Sequence, residues 1–334
     1  MTITISNLTS QLKVGEPQQS GALTIYPLFE TSQYDESKHT ESIRYLLLTE
    51  ALDKNNFVIG EISESGDVNT VIITNMTGMP VLILDGEEIM GAKQNRMINA
   101  TILVSADKTT EIPVSCVERG RWRYYSSNQF AKSDTFGYSS LRRQKSEQVH
   151  FSLQAQRGFS ADQGAIWAEI DRKHARMGTN SPTSALHDSY EHYSDELNKM
   201  IESLKLQPDQ TGIMVYINNR FTCLDLFDQK GTLSKLWPRL LKSYAVEALN
   251  MSTRLRKTPK PEPLKVIETI DQSEYLNYPS VGVGQDIRLT GSGIVGAGLL
   301  VDEQIVHLSV FPREENGTAT GDINTPRRRR RNIY

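Results

Sequence analysis

Between residues 21 and 118 the chain repeats one pattern six times. The runs GALTIYPLF, FVIGEI, NTVIITN, PVLILDG, NATILVS and EIPVSCVE are short, rich in Val, Ile and Thr, and divided by turn-forming strings such as ESGD and NMTGMP. Branched side chains in runs this brief fit a pleated, half-buried strand better than a helix, which needs a longer periodic stretch to be stable. In this region only YLLLTEALDKN, with Tyr45, Leu48 and Leu52 at spacings of three and four, predicts a helix. The first third is therefore expected to be an antiparallel, β-sandwich-like unit carrying one helix.

Residues 123–162 lose this order. Serines and aromatics are scattered without a sustained period, which predicts a long loop. A helix is expected over 163–177, then a longer one with Ser181 and Pro182 at its N-cap and first position. Its stripe is Leu186, Tyr190, Tyr193, Leu197, Ile201 and Leu204, read as core packing. GIMVYIN and RFTCLDLF form a hairpin through Asn218 and Asn219, and a helix follows from about Ser234 to Met251. After the linker RKTPKPEP, the strings KVIETI, DIRLTG, SGIVGAGLLVD and EQIVHLSVF read as strands.

The fold class is α+β: an antiparallel β-sandwich-like N-terminal part, central helices, and a C-terminal antiparallel sheet packed with helices. The expected division is an N-terminal arm at 1–20, a β-rich domain at 21–122, a basic aromatic loop at 123–162, a helix pair and C-terminal α+β domain at 163–312, and a disordered basic tail at 313–334.

Charge and cysteine usage remove several function classes. The net charge is −3, of which Arg327 to Arg331 contribute +5, so the body of the chain carries −8. A uniformly basic nucleic-acid binder does not fit, and nucleic acid is left only the arginine tail and the basic loop. Cys116 and Cys223 are the two cysteines, far apart and in no C-x-x-C pair, so neither a disulfide framework nor a zinc site is indicated. No apolar run is long enough to cross a membrane and no secretory leader is visible, so the expected location is the cytoplasm.

Chemistry concentrates in DGEEIMGAKQNR, residues 85–96, at the crossing between two apolar runs. Asp85, Glu87 and Glu88 are of the type that binds a divalent cation such as Mg²⁺ or transfers protons. Lys93, Gln94, Asn95 and Arg96 are suited to phosphate or ribose oxygens. The competing reading is an exposed hairpin with solvated charges. A second cluster, VSCVERGRWRYY, opens a stretch from Arg119 to Lys145 with seven basic residues, six aromatics and one acid. That mixture suits a phosphate-bearing planar ligand, with Arg119 and Arg121 on phosphate, Trp122 stacking and Glu118 as a further acid/base; a solvated loop that balances an acidic body is the alternative. Four residues separate Cys116 from Arg121 where a phosphatase loop needs five, so the thiol reads as a packed strand residue. Asp225 and Asp228 in DLFDQKG are weaker candidates, and His307, inside an apolar strand, reads as a satisfied core histidine.

The strings DGEEIMGAKQNRMINATILV, IPVSCVERGRW, DLFDQKGTLSKLWPRLLKSYAVEAL and VGAGLLVDEQIVHLSVF resemble the prokaryotic family named for its association with ADP-ribosylglycohydrolase and rhodanese-phosphatase proteins, over about residues 20–312. Asp85 to Glu88, Gly91 to Arg96, Ser115 to Glu118, and Gly120 to Trp122 match its first two motifs; Asn219 and the oligo-arginine tail depart from it. The resemblance implies a link to ADP-ribose and NAD chemistry and assigns no catalytic residue. The resulting expectation is a protein that recognises an ADP-ribose- or NAD-related nucleotide and, if it is an enzyme, hydrolyses a glycosidic or phosphate bond. The competing expectation is a non-catalytic module that docks on a partner enzyme of the same pathway.

Overall fold

In the computed structural model, which describes residues 9–30, 43–63, 67–124, 128–249, 251 and 260–313, the strand-rich start and end of the chain meet in one sheet. The first half runs β1 (Leu12–Val14), β2 (Gln18–Ser20), β3 (Leu23–Glu30), β4 (Leu46–Leu47), α1 (Leu48–Leu52), β5 (Phe57–Glu61), β6 (Thr70–Asn75), β7 (Val81–Ile83), β8 (Glu87–Gly91), β9 (Arg96–Ile98), β10 (Ile102–Val104) and β11 (Lys108–Cys116). There follow β12 (Phe130–Phe136), α2 (Ser139–Gln154), α3 (Gln163–Met177), α4 (Asp188–His192), α5 (Ser194–Glu202), β13 (Gly212–Ile217), β14 (Arg220–Phe227) and α6 (Lys230–Ala248). The chain closes with α7 (Pro263–Asp271), β15 (Glu274–Pro279), β16 (Gln285–Gly291), β17 (Ile294–Val301) and β18 (Gln304–Pro312).

The large sheet has the order β1-β3-β13-β14-β18-β17-β16-β15, with β2 also on β3. A second sheet runs β12-β8-β9-β11-β6-β5, and β10-β7-β4 form a third. Among the described residues every pairing is antiparallel except β4 with β7. One core lies between the large sheet and the helices, built from residues such as Ile25, Val215, Leu240, Tyr244 and Phe311. A separate one fills the smaller sheets, with Ile59, Ile73, Ile83, Ile98 and Ile112. No helix among the described residues is long and apolar enough to cross a membrane.

The α+β class and the antiparallel strands follow the sequence, including the Asn218-Asn219 hairpin, where both asparagines have positive φ. The division into segments does not. Strands β1 to β3 belong to the sheet of the C-terminal half, because β3 pairs with β13 over Leu23–Leu28, so the part of the expected N-terminal arm that holds Leu12–Val14 and Gln18–Ser20 joins that sheet, while residues 1–8 lie outside the described residues. The loop expected at 123–162 contains β12 and the 16-residue helix α2. Its periodicity was concealed: the buried residues of α2 are Ser139, Arg142, Lys145, Ser146 and His150 beside Leu141, Val149 and Leu153, a helical spacing written largely in polar residues. The long helix expected from Ser181 is two short ones, α4 and α5, and KVIETI is the helix α7, with Pro263 in its first turn. YLLLTEALDKN divides into β4 and α1, and EYLNYP is a strand. The tail from residue 314, with Arg327 to Arg331, and the linker residues 252–259 lie outside the described residues.

The third sheet is tied to the large one where Val283 N–H donates to Leu103 O at 2.8 Å. A Cβ on Gly282 would sit 2.1 Å from that carbonyl oxygen, so no side chain fits the crossing. Gly282→Ala is expected to lower stability by about 1–3 kcal/mol, the usual cost of forcing atoms into a packed contact, read from urea unfolding.

Candidate functional site

The string 85–96 is not an exposed hairpin. Asp85, Glu87, Glu88, Gln94, Asn95 and Arg96 are all at least 95 % buried. β7 runs into the string, Gly86 turns it with a φ of +95°, β8 carries Glu87 to Gly91, and a tight turn returns the chain as β9. Gly86 is also required by its neighbour, since a Cβ there would lie 2.8 Å from Arg142 Cδ. Charge at such depth is tolerated only when it is paired and hydrogen-bonded, and two layers of pairing do this.

The deeper layer centres on Asp225, on β14. Arg142 donates to both of its oxygens at 2.9 and 2.6 Å, and Tyr244 donates its hydroxyl at 2.5 Å. His307 Nε2 lies 3.3 Å from the same carboxylate, and His307 Nδ1 lies 2.8 Å from Thr101 Oγ1. Burial resists ionisation of Asp225, but Arg142 and His307 outweigh it and hold its pKa far below the carboxylate range. Burial lowers the pKa of His307, so the consistent assignment is a neutral ring with Nε2–H donating to Asp225 and Nδ1 accepting from Thr101. The Arg142 guanidinium stacks against Phe136 and Phe311, 5.1 and 5.3 Å from their centroids. Lys145 pairs with Asp85 and donates to Ile98 O at 2.5 Å, while Arg239 meets Glu87 at 2.6 Å. These partners come from α2, α6, β14 and β18, so the layer fastens the second sheet to the large one.

The shallower layer is a clamp. Arg121 grips Glu118 with three contacts of 2.6 to 2.9 Å and donates to Ala92 O, Gly91 O and Asn95 Oδ1. Glu118 accepts in turn from Asn95 N and Thr183 Oγ1. Burial again opposes ionisation of Glu118 and Arg121 prevails, lowering its pKa. Arg96 lies 3.6 Å from Glu61 and contacts Gln94 and Asp67 O. Cys116 N–H donates to the side chain of Gln163, and its thiol is buried, which raises its pKa to about 11.

Two groups of residues reach the surface around this clamp. Lys93 Nζ lies 5.4 Å from the ring centroids of both Trp122 and Tyr124, residues that are 47 % and 42 % exposed. Arg119 is solvent-exposed, 3.3 Å from Asp171 and over Trp167. On the other side, Asn95 Nδ2 lies 3.1 Å from His187 Nδ1, and His187 Nε2 lies 3.1 Å from Asp188. Beneath them Glu88 accepts from Ser133 at 2.7 Å. Burial drives its pKa up to about 7 against the opposing pull of His187 and Ser133.

The structure thus brings the two sequence clusters together, through the β9–β11 pairing and the Arg121 clamp. Asp85, Glu87, Glu118, Arg96 and Arg121 are engaged in internal ion pairs. Gln94 and Asn95 brace the turn, Glu88 faces His187, and Lys93, Arg119 and Trp122 meet solvent. Sequence reasoning missed Arg142, Lys145 and Arg239, which lie in helical stripes, and the group in HDSYEH, whose His187, Asp188 and Glu191 carry one-turn spacing. The phosphatase reading of Cys116 fails on exposure as well as on spacing. Neither Cys116 nor Cys223 should react with a thiol reagent in the folded protein at pH 8, and both should react in urea; rapid native labelling of Cys116 would contradict the buried strand placement.

The family model described as ARG and Rhodanese-Phosphatase-superfamily-associated Protein domain matches residues 11–311. No curated protein and no solved structure matches the chain.

Proposed function

The chain belongs to the ARG and Rhodanese-Phosphatase-superfamily-associated Protein domain family, an uncharacterised one, and from that premise we propose that it recognises an ADP-ribose- or NAD-related nucleotide at the Lys93–Trp122–Tyr124 surface. The observation that carries this reading is the ammonium set between two half-exposed rings, on a turn held rigid by the Arg121 clamp. A planar base stacks on Trp122 or Tyr124 in place of the ammonium, and Lys93, with Arg119 nearby in sequence to Trp122, turns to the phosphates. Gln94, Asn95, Arg96 and Arg121 then act as the platform that presents these groups. If the bound ligand is turned over, hydrolysis is the class that carboxylates beside cations serve, with Glu88, 3.9 Å behind His187 Nδ1, the buried carboxylate on that side of the clamp.

A second reading, a docking site for a partner enzyme of the same pathway, draws on the same exposed Trp122 and Tyr124, since such residues anchor protein interfaces. A thermal-shift series with ADP-ribose, NAD and inorganic phosphate separates the two. ADP-ribose at a hundred times its Kd is expected to add about 2.7 kcal/mol of stability, and more than phosphate alone at the same concentration. No shift with any of the three would overturn the nucleotide reading and leave the docking one.

A further inference from the structure

At the N-terminal end of α4 three side chains offer one ligand atom each within 4.8 Å of one another: His187, Asp188 and Glu191. They are set differently. His187 and Asp188 are mostly covered, whereas Glu191 is exposed, so the group opens to solvent on one side. Asp188 is steadied by the Ser181 hydroxyl, which donates to its other oxygen. Three such residues on one turn are common without an ion, so their proximity alone carries little.

The second observation lies behind the histidine. Glu88 is fully buried, one oxygen is held by Ser133, Thr135 lies beside the carboxylate, and the other oxygen, Oε1, makes no hydrogen bond of ordinary geometry among the described residues. Oε1 lies 3.9 Å from His187 Nδ1. An orphaned buried carboxylate oxygen is expensive, and it calls for a donor. As the structure stands, His187 Nδ1 faces the Asn95 amide, whose Oδ1 is fixed by Gly91 N and Arg121, leaving Nδ2 as the donor toward the ring. Nδ1 is then an acceptor, and Nε2 carries the hydrogen toward Asp188. A cation on Nε2 demands the other tautomer. Nδ1 then carries the hydrogen, gives up the donor Asn95 Nδ2, and turns to the acceptor 3.9 Å away, Glu88 Oε1. Carboxylate behind histidine behind metal is the usual way a metal-binding imidazole is oriented.

We propose that His187, Asp188 and Glu191 bind one divalent cation of the Mn²⁺ or Zn²⁺ class, and that Glu88 is the positioning residue that orients His187 for it. Imidazole among the ligands favours these ions over Mg²⁺, which prefers oxygen donors and keeps its waters. The site is built by this chain alone and needs no nucleotide, so it stands or falls separately from the reading above.

Electron paramagnetic resonance of Mn²⁺ titrated into the full chain without nucleotide provides the test. The expected result is loss of the free-ion signal at one Mn²⁺ per chain, its return on adding Zn²⁺, and no return with an equal concentration of Mg²⁺. Glu191→Gln removes an exposed ligand at little risk to the fold and should weaken Mn²⁺ binding at least tenfold. Glu88→Gln, which keeps the shape but not the carboxylate, should weaken it about 10–100-fold while leaving the stoichiometry unchanged. Absence of stoichiometric Mn²⁺ uptake, equal displacement by Mg²⁺, or wild-type affinity in Glu191→Gln would overturn the site. Wild-type affinity in Glu88→Gln would overturn the positioning role.

Discussion

Asp225→Ala is expected to lower the unfolding free energy by roughly 3–5 kcal/mol, the cost of removing one partner of a buried ion pair. The substitution strands Arg142, which has no exposure, and leaves the Tyr244 hydroxyl and His307 Nε2–H without their acceptor. Urea unfolding followed by circular dichroism measures it. The pH dependence has a definite sign. Asp225 titrates far below its unfolded value, so its contribution is present above the ordinary carboxylate range and is lost as the pH falls through that range and below it. His307, with its pKa lowered by burial, adds to the same trend: the unfolded chain takes up its proton near pH 6.5, while the folded one resists. Wild-type stability should therefore fall steeply below about pH 5, and the Asp225→Ala curve should be flatter there. A cost below about 1 kcal/mol at pH 7 would mean that the network is not a fastening of the fold.

Arg121→Met is expected to cost about 3–5 kcal/mol for a related reason, because it leaves Glu118 buried beside no cation. The consequence should also be local. Gly91 O, Ala92 O and Asn95 Oδ1 all lose a donor, so the turn 91–95 should exchange its amide hydrogens faster, ahead of global unfolding. Arg121→Lys should recover only part of the loss, since one ammonium cannot reproduce a planar fork with six acceptors around it. Unchanged exchange in the turn together with weakened phosphate binding would instead place Arg121 on a ligand.

The strands were legible because their signal is local: alternating or continuous Val, Ile and Thr between turn residues. The Asn218-Asn219 hairpin is of the same kind, needing only two residues that accept positive φ. Which strands pair was not legible, because β3 meets β13 across almost 190 residues and no local pattern encodes that register. Helix α2 failed for a different reason. Arg142 and Lys145 sit on its buried face, so a reading that equates burial with apolar residues assigns that face to solvent. The same assumption shaped the view of DGEEIMGAKQNR. Its density of charge was visible, but the compensating partners, Lys145 for Asp85 and Arg239 for Glu87, lie 60 and 152 residues away. His187 and Asp188 were obscured inside a stripe that reads as ordinary helix core, in a segment that instead breaks into two short helices.

On the proposed reading the buried charges hold the sheets together, and the group of Lys93 and Trp122 at the edge of the clamp is what a nucleotide would meet. Calorimetric titration of ADP-ribose into the wild-type chain and into a Lys93→Met, Trp122→Ala double variant tests that division most directly. Trp122 is half-exposed and Lys93 partly so, and neither belongs to the buried ion pairs, so the variant should melt within about 1 kcal/mol of the wild type. The wild type should bind, and the variant should bind about thirtyfold more weakly or worse, since a lost stacking face and a lost charge-assisted contact to phosphate together remove roughly 2 kcal/mol or more. Equal affinity in the two proteins, or no heat of binding in the wild type, would contradict it.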